Sequence, residues 1–305
     1  MRQMSAAQVR ERFIALDDVS VHAVTWDGRR RNRGESDHVL LLHGLGGSTI
    51  QWSLVGRELA VRAGTSVTAI DLAGFGLTRA LRRPATVEKN AELVTAFLRE
   101  EGPAHVAGIS MGGAIGIRVA ARTGQLVKRL TLVGSAFPLN AGTPLAARNL
   151  PAALPVLGPF FTSLYSTVLK PTEIVDDRLS ASMRRPPQVR PEVYGQLVAM
   201  AGVRKEFTEG PRAYADAARS LFAYAAMPWG EIADVLRVRC PTQIIHGAQD
   251  RLVPLQLATI IRRLRPDWRL DVIDECGHLP TFESPDQLLD LMMASSASET
   301  TPAAG

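Results

Sequence analysis

Short apolar runs alternate with longer stretches of helical period through most of this chain. Val39-Leu40-Leu41-Leu42-His43 has no polar alternation, as expected of a strand covered on both faces. Similar runs predict strands at 67–71, 104–107, 128–133, 242–245 and 269–273, and two more fit within 13–26. Helical spacing predicts helices at 51–62, 88–100, 111–121 and 255–264. A closing helix starts near Ser284-Pro285, with serine as the cap and proline in the first turn. This order predicts an α/β fold: a mostly parallel, eight-stranded sheet with helices on both faces. Its ligand belongs at the carboxyl ends of the strands.

Residues 136–228 break the alternation. They hold 11 of the 19 prolines, several aromatics, and helix-like pieces at 191–202 and 214–226. The segment lies between two core strands, so it must leave the sheet and return. The expected division is a core of residues 12–135 and 229–298, a helical cap of residues 136–228, and a disordered tail at 299–305. Phe160, Phe161, Leu164, Tyr165, Met183, Tyr194, Met200, Phe222 and Met227 are the candidates for shaping a pocket beneath the cap. The plainer expectation for most of them is burial of cap against core.

Length and composition fit that plan. The chain of 305 residues has room for one large domain and an insert, and its 46% hydrophobic content suits a full core. No stretch is uniformly apolar enough to span a bilayer, and the first twelve residues lack an apolar signal core. Two cysteines, Cys240 and Cys276, imply no disulfide framework, and a reducing cytoplasm is the expected location. The net charge is +5 and the pI about 9.6. Arginine clusters at 29–31, 82–83, 184–185 and 262–263 are short and lack interleaved aromatics. They read as solvated surface, compatible with weak association with a membrane surface but not with a nucleic-acid site.

The most telling stretch is Gly108-Ile109-Ser110-Met111-Gly112, which follows a strand and opens a helix. A turn this sharp leaves no room for side chains two residues either side of the serine. It lifts the hydroxyl clear of the sheet, and it sets the Met111 N–H at a helix N-terminus, where it can stabilise a developing anion. A serine hydroxyl needs a base. His22 and His105 lie in strands, His38 begins one, His43 begins a glycine turn, and His246 ends an apolar run. His278 remains, in a loop after the 269–273 strand. A lone loop histidine is ordinarily a solvated group; a position after a serine and an acid reverses that expectation. Asp250 follows a strand and completes the chain order Ser, Asp, His, although a turn aspartate can also merely cap the next helix. Gly134-Ser135-Ala136-Phe137, after the 128–133 strand, offers no carboxylate. Asp274 and Glu275 sit on the histidine's own loop approach, and Asp71 opens a structural turn.

These motifs resemble the α/β-hydrolase superfamily, in its esterase, lipase and carbon–carbon-bond hydrolase branches. The resemblance rests on His43-Gly44-Leu45-Gly46-Gly47, Asp71-Leu72-Ala73-Gly74-Phe75-Gly76, Gly108 to Gly113, Gly247-Ala248-Gln249-Asp250 and Gly277-His278. It covers residues 12–295 outside the cap, and it is specific for the fold but weakly so for the substrate. It implies a triad of Ser110, Asp250 and His278, an oxyanion hole from the backbone N–H groups of Leu45 and Met111, and no metal or other cofactor.

The expected activity is hydrolysis of a carboxylic ester of a hydrophobic small molecule or lipid through an acyl-enzyme. Relatives with aspartate at the elbow, the haloalkane dehalogenases and epoxide hydrolases, do not match Ser110. Carbon–carbon hydrolases often read Gly-Pro-Gly where this chain reads Gly46-Gly47-Ser48. They remain an alternative, as does a cofactor-free perhydrolase. A non-catalytic ligand-binding relative would ordinarily lack a triad member, and this chain lacks none.

Overall fold

The computed structural model describes residues 8–28, 38–138, 143–185, 189–226 and 228–297. The cluster at 29–31, Met227 and the tail from 299 lie outside them. The described chain runs β1 (Gln8–Leu16), β2 (Val19–Asp27), β3 (His38–Leu42), α1 (Ser53–Ala63), β4 (Ser66–Ile70), α2 (Val87–Glu101), β5 (Ala104–Ile109), α3 (Met111–Thr123) and β6 (Val127–Val133). Six helices follow: α4 (Pro144–Ala153), α5 (Gly158–Val168), α6 (Pro171–Ser182), α7 (Pro191–Lys205), α8 (Gly210–Ala226) and α9 (Trp229–Arg237). The chain then closes with β7 (Thr242–Gly247), α10 (Leu255–Leu264), β8 (Arg269–Ile273), α11 (Pro280–Glu283) and α12 (Pro285–Ala297).

The sheet has eight strands in the order β1-β2-β4-β3-β5-β6-β7-β8. The pairs β1/β2 and β2/β4 are antiparallel and all the others parallel, as the apolar runs predict. Alternate residues of each central strand feed two cores. Leu40, Leu42, Val106 and Leu130 pack with Phe97 of α2 and Ile115 of α3. Leu41, Ala107, Val133 and Ile245 pack with Leu59 of α1 and Leu288 of α12. Each such buried leucine, isoleucine, valine or phenylalanine contributes roughly 1.5–3 kcal/mol. Helix ends are set locally: Thr86 accepts from the Lys89 N–H to cap α2, and Gly64 takes φ 64° to end α1.

Two places depart from the sequence expectation. β1 begins at Gln8, well before 13, because it pairs with β2 over its whole length as an exposed edge strand. Its first half, Gln-Val-Arg-Glu-Arg, buries nothing and so carries no apolar signal. Between β6 and β7, α7 and α8 match the two expected helices, but α4, α5, α6 and α9 were not expected. α4 contains Pro151, and α5 is built of apolar and hydroxyl residues without a polar face.

Candidate active site

Ser110 ends β5 and starts α3 with φ 53° and ψ −116°, a left-handed conformation that costs a non-glycine residue about 1–3 kcal/mol. The flanking glycines are steric requirements. A Cβ on Gly108 would lie 2.3 Å from the Gly112 carbonyl oxygen, and one on Gly112 would lie 2.5 Å from that of Leu42. The Ser110 N–H donates to Val133 O at 3.0 Å, which ties the turn to the end of β6.

Asp250 follows β7 and His278 follows β8. The structure brings them together: His278 Nδ1 lies 2.7 Å from Asp250 Oδ2. An ionised Asp250 accepts the Nδ1 proton, which leaves Nε2 as the basic nitrogen. The other Asp250 oxygen accepts the N–H groups of Leu252 and Val253, each at 2.8 Å. Burial works against the Asp250 carboxylate, but the facing His278 and the Val253 N–H outweigh it and hold its pKa below the ordinary value. Gly134, next to the residue that accepts from Ser110, has φ 48°, and a Cβ there would stand 3.3 Å from His278 Nδ1. The serine turn and the histidine loop therefore meet at the end of β6. Asp274 and Glu275 take no such position; Glu275 pairs with Arg184 at 3.3 Å on the surface.

The loop after β3 closes over the serine. A Cβ on Gly44 would lie 3.2 Å from Ser110 Cβ, so Leu45 sits beside the serine turn. The loop is held from three sides. Gln51 Oε1 accepts the Gly44 N–H at 2.8 Å, and His43 Nδ1 donates to Gly44 O at 2.8 Å. Arg178 of α6 donates to Gly46 O at 2.8 Å. His43 Nε2 accepts the Leu72 N–H at 2.9 Å, and burial lowers the His43 pKa, so the ring works as a neutral brace. Asp71 is structural, as expected: its carboxylate accepts from the N–H groups of Thr49 and Leu77 and from His22.

Several residues that the sequence did not single out support the site. His246, at the end of β7, is fully buried, donates from Nε2 to Val253 O at 2.9 Å, and places that nitrogen 3.4 Å from Asp250 Oδ2. Burial lowers its pKa, so it is neutral packing behind the acid. The four-residue spacing to Asp250 was its only signal. The Glu283 carboxylate accepts the N–H groups of Gly277 and Leu279 at 3.1 Å, and of Arg184 at 2.8 Å, which clasps the loop that carries His278. Nothing in a lone helix-end glutamate announces that. Cys276 is buried, and its thiol is pushed up to about 12, so it stays protonated.

Ser110, His278 and the Gly44–Ser48 loop open on a cavity of about 570 Å³ between the strand ends and α4–α8. Phe161, Tyr165 and Met200 line it as expected. Phe160 and Leu164 instead face outward, Met183 is buried against Leu279 and Cys276 in the second core, and Tyr194 bonds Asp176 on the surface. Phe222 does not reach the cavity either. The roof is less apolar than expected, because Arg178 and Arg204 line it. Arg204 donates to Gly74 O at 2.5 Å, and burial pushes its pKa down to about 10, so it remains charged at neutral pH.

The model of the alpha/beta hydrolase family matches residues 39–291. The chain belongs to that family. It is 25% identical over 297 residues to Lipase 1 of Psychrobacter immobilis, covering 95% of this chain and 84% of that protein. It is 30% identical over 267 residues to a pimeloyl-[acyl-carrier protein] methyl ester esterase of Aromatoleum aromaticum, covering 81% of this chain and 93% of the relative. Among solved structures it is similar to the 2-hydroxy-6-oxo-6-phenylhexa-2,4-dienoate hydrolase of Rhodococcus sp. strain RHA1. The TM-score is 0.76 at 23% identity, over 95% of this chain and 99% of that one. The family and these relatives make the protein a hydrolase. Among the described residues no helix is long and apolar enough to cross a membrane.

Proposed function

We propose that this protein is a serine hydrolase that cleaves carboxylic esters with a hydrophobic acyl group through an acyl-enzyme. One observation carries the reading: the strained Ser110 turn and His278, whose Nδ1 lies 2.7 Å from Asp250, open on one cavity under the helical insert. His278 Nε2 takes the Ser110 proton as Oγ attacks the carbonyl carbon. Asp250 holds the ring in the useful tautomer and stabilises its charged form. The oxyanion is held by the backbone N–H groups of Leu45 and Met111, each worth roughly 3–4 kcal/mol. His278 then protonates the leaving alcohol, and water, activated by the same ring, releases the acid.

The ester reading is supported by the names of the lipase and methyl ester esterase relatives and by the apolar part of the cavity. A second reading, hydrolysis of a carbon–carbon bond in an acidic ring-cleavage product, is favoured by Arg178 and Arg204, whose guanidinium groups line the roof and suit a substrate carboxylate. A panel of p-nitrophenyl esters of increasing acyl length, set against a dienoate ring-cleavage product, separates the two. The ester reading predicts turnover of the panel, its loss in a folded Ser110→Ala variant, and no comparable turnover of the dienoate. Ester turnover at the wild-type rate in Ser110→Ala would overturn the assignment.

A further inference from the structure

Positions 149–169 carry no charged residue. They form the end of α4, a tip at 154–157 and helix α5. The outward side of this segment is apolar and open to solvent: Leu154, Val156, Leu157, Phe160, Leu164 and Val168 are all exposed, Val156 at 89% and Phe160 at 61%. Contiguous apolar surface of this kind marks an interaction site.

The tip carries a second, independent sign. Val156 has φ 65°. A β-branched residue in the left-handed region is an outlier, and glycine or asparagine would make the same turn with less strain. The other non-glycine residues with positive φ among those described are Asp17, a turn former, and Ser110. Val156 is strained, and it packs against almost nothing. What it supplies is apolar surface at an exposed point.

The chemistry around the segment selects the occupant. Lys170 stands two residues past α5, Lys205, which also borders the cavity, donates from Nζ to Leu169 O at 2.7 Å, and Arg212 adjoins Pro211, whose carbonyl accepts from Thr162 of α5 at 2.8 Å. Of the nearby carboxylates, Asp177 and Glu209 are taken by Arg148 and Arg79, Asp216 is held by Arg219 at 3.3 Å and stands 3.9 Å from the 72%-exposed Arg212, and Glu173 folds back on the Lys170 N–H at 2.7 Å. The result is an apolar tip with a cationic rim. A symmetric pair of copies joined here would set Lys170, Lys205 and Arg212 against themselves, whereas an anionic surface would satisfy them. The inward side of the same helix, Phe161, Thr162, Tyr165 and Ser166, lines the cavity that holds Ser110. One helix therefore separates the outer face from the site.

We propose that the 154–168 face is a docking site for an anionic lipid surface. Its apolar tip enters the acyl region and its lysines and arginine lie at the headgroups, so that the cavity opens beside the layer from which an amphiphile would enter. This is peripheral seating, not spanning.

The test is co-sedimentation of the full-length protein with vesicles of phosphatidylcholine containing phosphatidylglycerol, against pure phosphatidylcholine. Docking predicts binding that is stronger on the anionic vesicles and weakened by salt. A Val156→Asp/Phe160→Asp double variant should lower the partition by roughly ten-fold or more. Neither residue lines the cavity, aspartate tolerates the left-handed backbone at 156, and an unchanged near-ultraviolet circular dichroism spectrum verifies the fold. Val156→Gly should weaken binding while raising the melting midpoint, a split that a purely structural role would not produce. The proposal is overturned if the wild type stays in the supernatant with anionic vesicles. It is equally overturned if wild type and double variant sediment alike, or if ultracentrifugation shows a wild-type dimer that the double variant splits. The readout is binding, so a failure of the ester assignment leaves it intact.

Discussion

At the scale of single residues, the proposed chemistry depends on which carboxylate faces His278. Asp250 Oδ2 lies 2.7 Å from Nδ1, while its other oxygen is fixed by two backbone N–H groups. Asparagine there would keep the shape but offer the wrong hydrogen-bonding partner to the ring. Asp250→Asn should therefore cut kcat by about 10⁴-fold with little change in melting temperature. Asp274→Asn should stay within about two-fold of wild type, since surface side chains away from the reacting groups rarely matter. Steady-state kinetics of both variants check this, and the reverse pattern would mean that the acid is misassigned. The pairing of Asp250 with His278 was legible from chain order and from the lack of a carboxylate after the 128–133 strand, because such a partner must follow a strand whose end faces the histidine loop. His246, Glu283 and Gln51 were not readable. Each acts through a backbone or side-chain contact made by the fold, and no local pattern marks such contacts in advance.

At the scale of elements, two charge clusters, each centred on a buried cation or histidine, hold helices and strands in register. Arg118 of α3 donates to Glu88 of α2 at 2.7 Å, and to Glu231 and Asp234 of α9 at 3.0 and 3.1 Å. Replacing it with methionine takes the central cation from three carboxylates, two of them largely buried, and leaves only the more exposed Arg122 and Arg237 beside Glu88 and Asp234. Arg118→Met should cost about 3 kcal/mol or more, read as a lower urea midpoint; an unchanged midpoint would contradict the account. His22 of β2 sits between Asp71 and Glu11 at 2.7 and 2.8 Å. Burial disfavours its charge, but the two carboxylates prevail and raise its pKa above 6.5. A raised histidine pKa stabilises the fold fully below the unfolded value, and that stability is lost as pH rises through the folded one. The gap in urea midpoint between wild type and His22→Gln should therefore be widest near pH 5–6 and narrow toward pH 9. A gap that does not change with pH would mean the ring is neutral. The central strands were legible because burial on both faces leaves an unbroken apolar run. β1 and α4–α6 were not, because an edge strand and a proline-rich helical layer bury too little on any fixed period.

At the scale of the whole molecule, the cavity that holds Ser110 lies where the sheet edge meets the helical insert. The core supplies Ser110, Asp250 and His278, and the insert supplies Phe161, Met200, Arg178 and the roof. The insert is also fastened at the chemistry itself: the His278 N–H donates to Ser182 O at 2.8 Å, and Arg178 holds Gly46 O. If the roof selects the acyl group, Phe161→Ala and Met200→Ala should shift the preferred chain length of p-nitrophenyl esters. A methylene contact is worth only ~1–3 kcal/mol, so the shift should be graded, and acetate turnover should change much less. Unchanged preference in both variants would place selection in the core loops.

The central claim is that Ser110 is the nucleophile activated by His278, and covalent labelling tests it most directly. Wild-type protein treated with a fluorophosphonate should gain the mass of one phosphonyl group, mapped by peptide mass spectrometry to Ser110. His278→Ala should label far more slowly, and Ser110→Ala should not label at all. A folded wild-type protein that resists the probe, or that takes the label on another residue, would contradict the account.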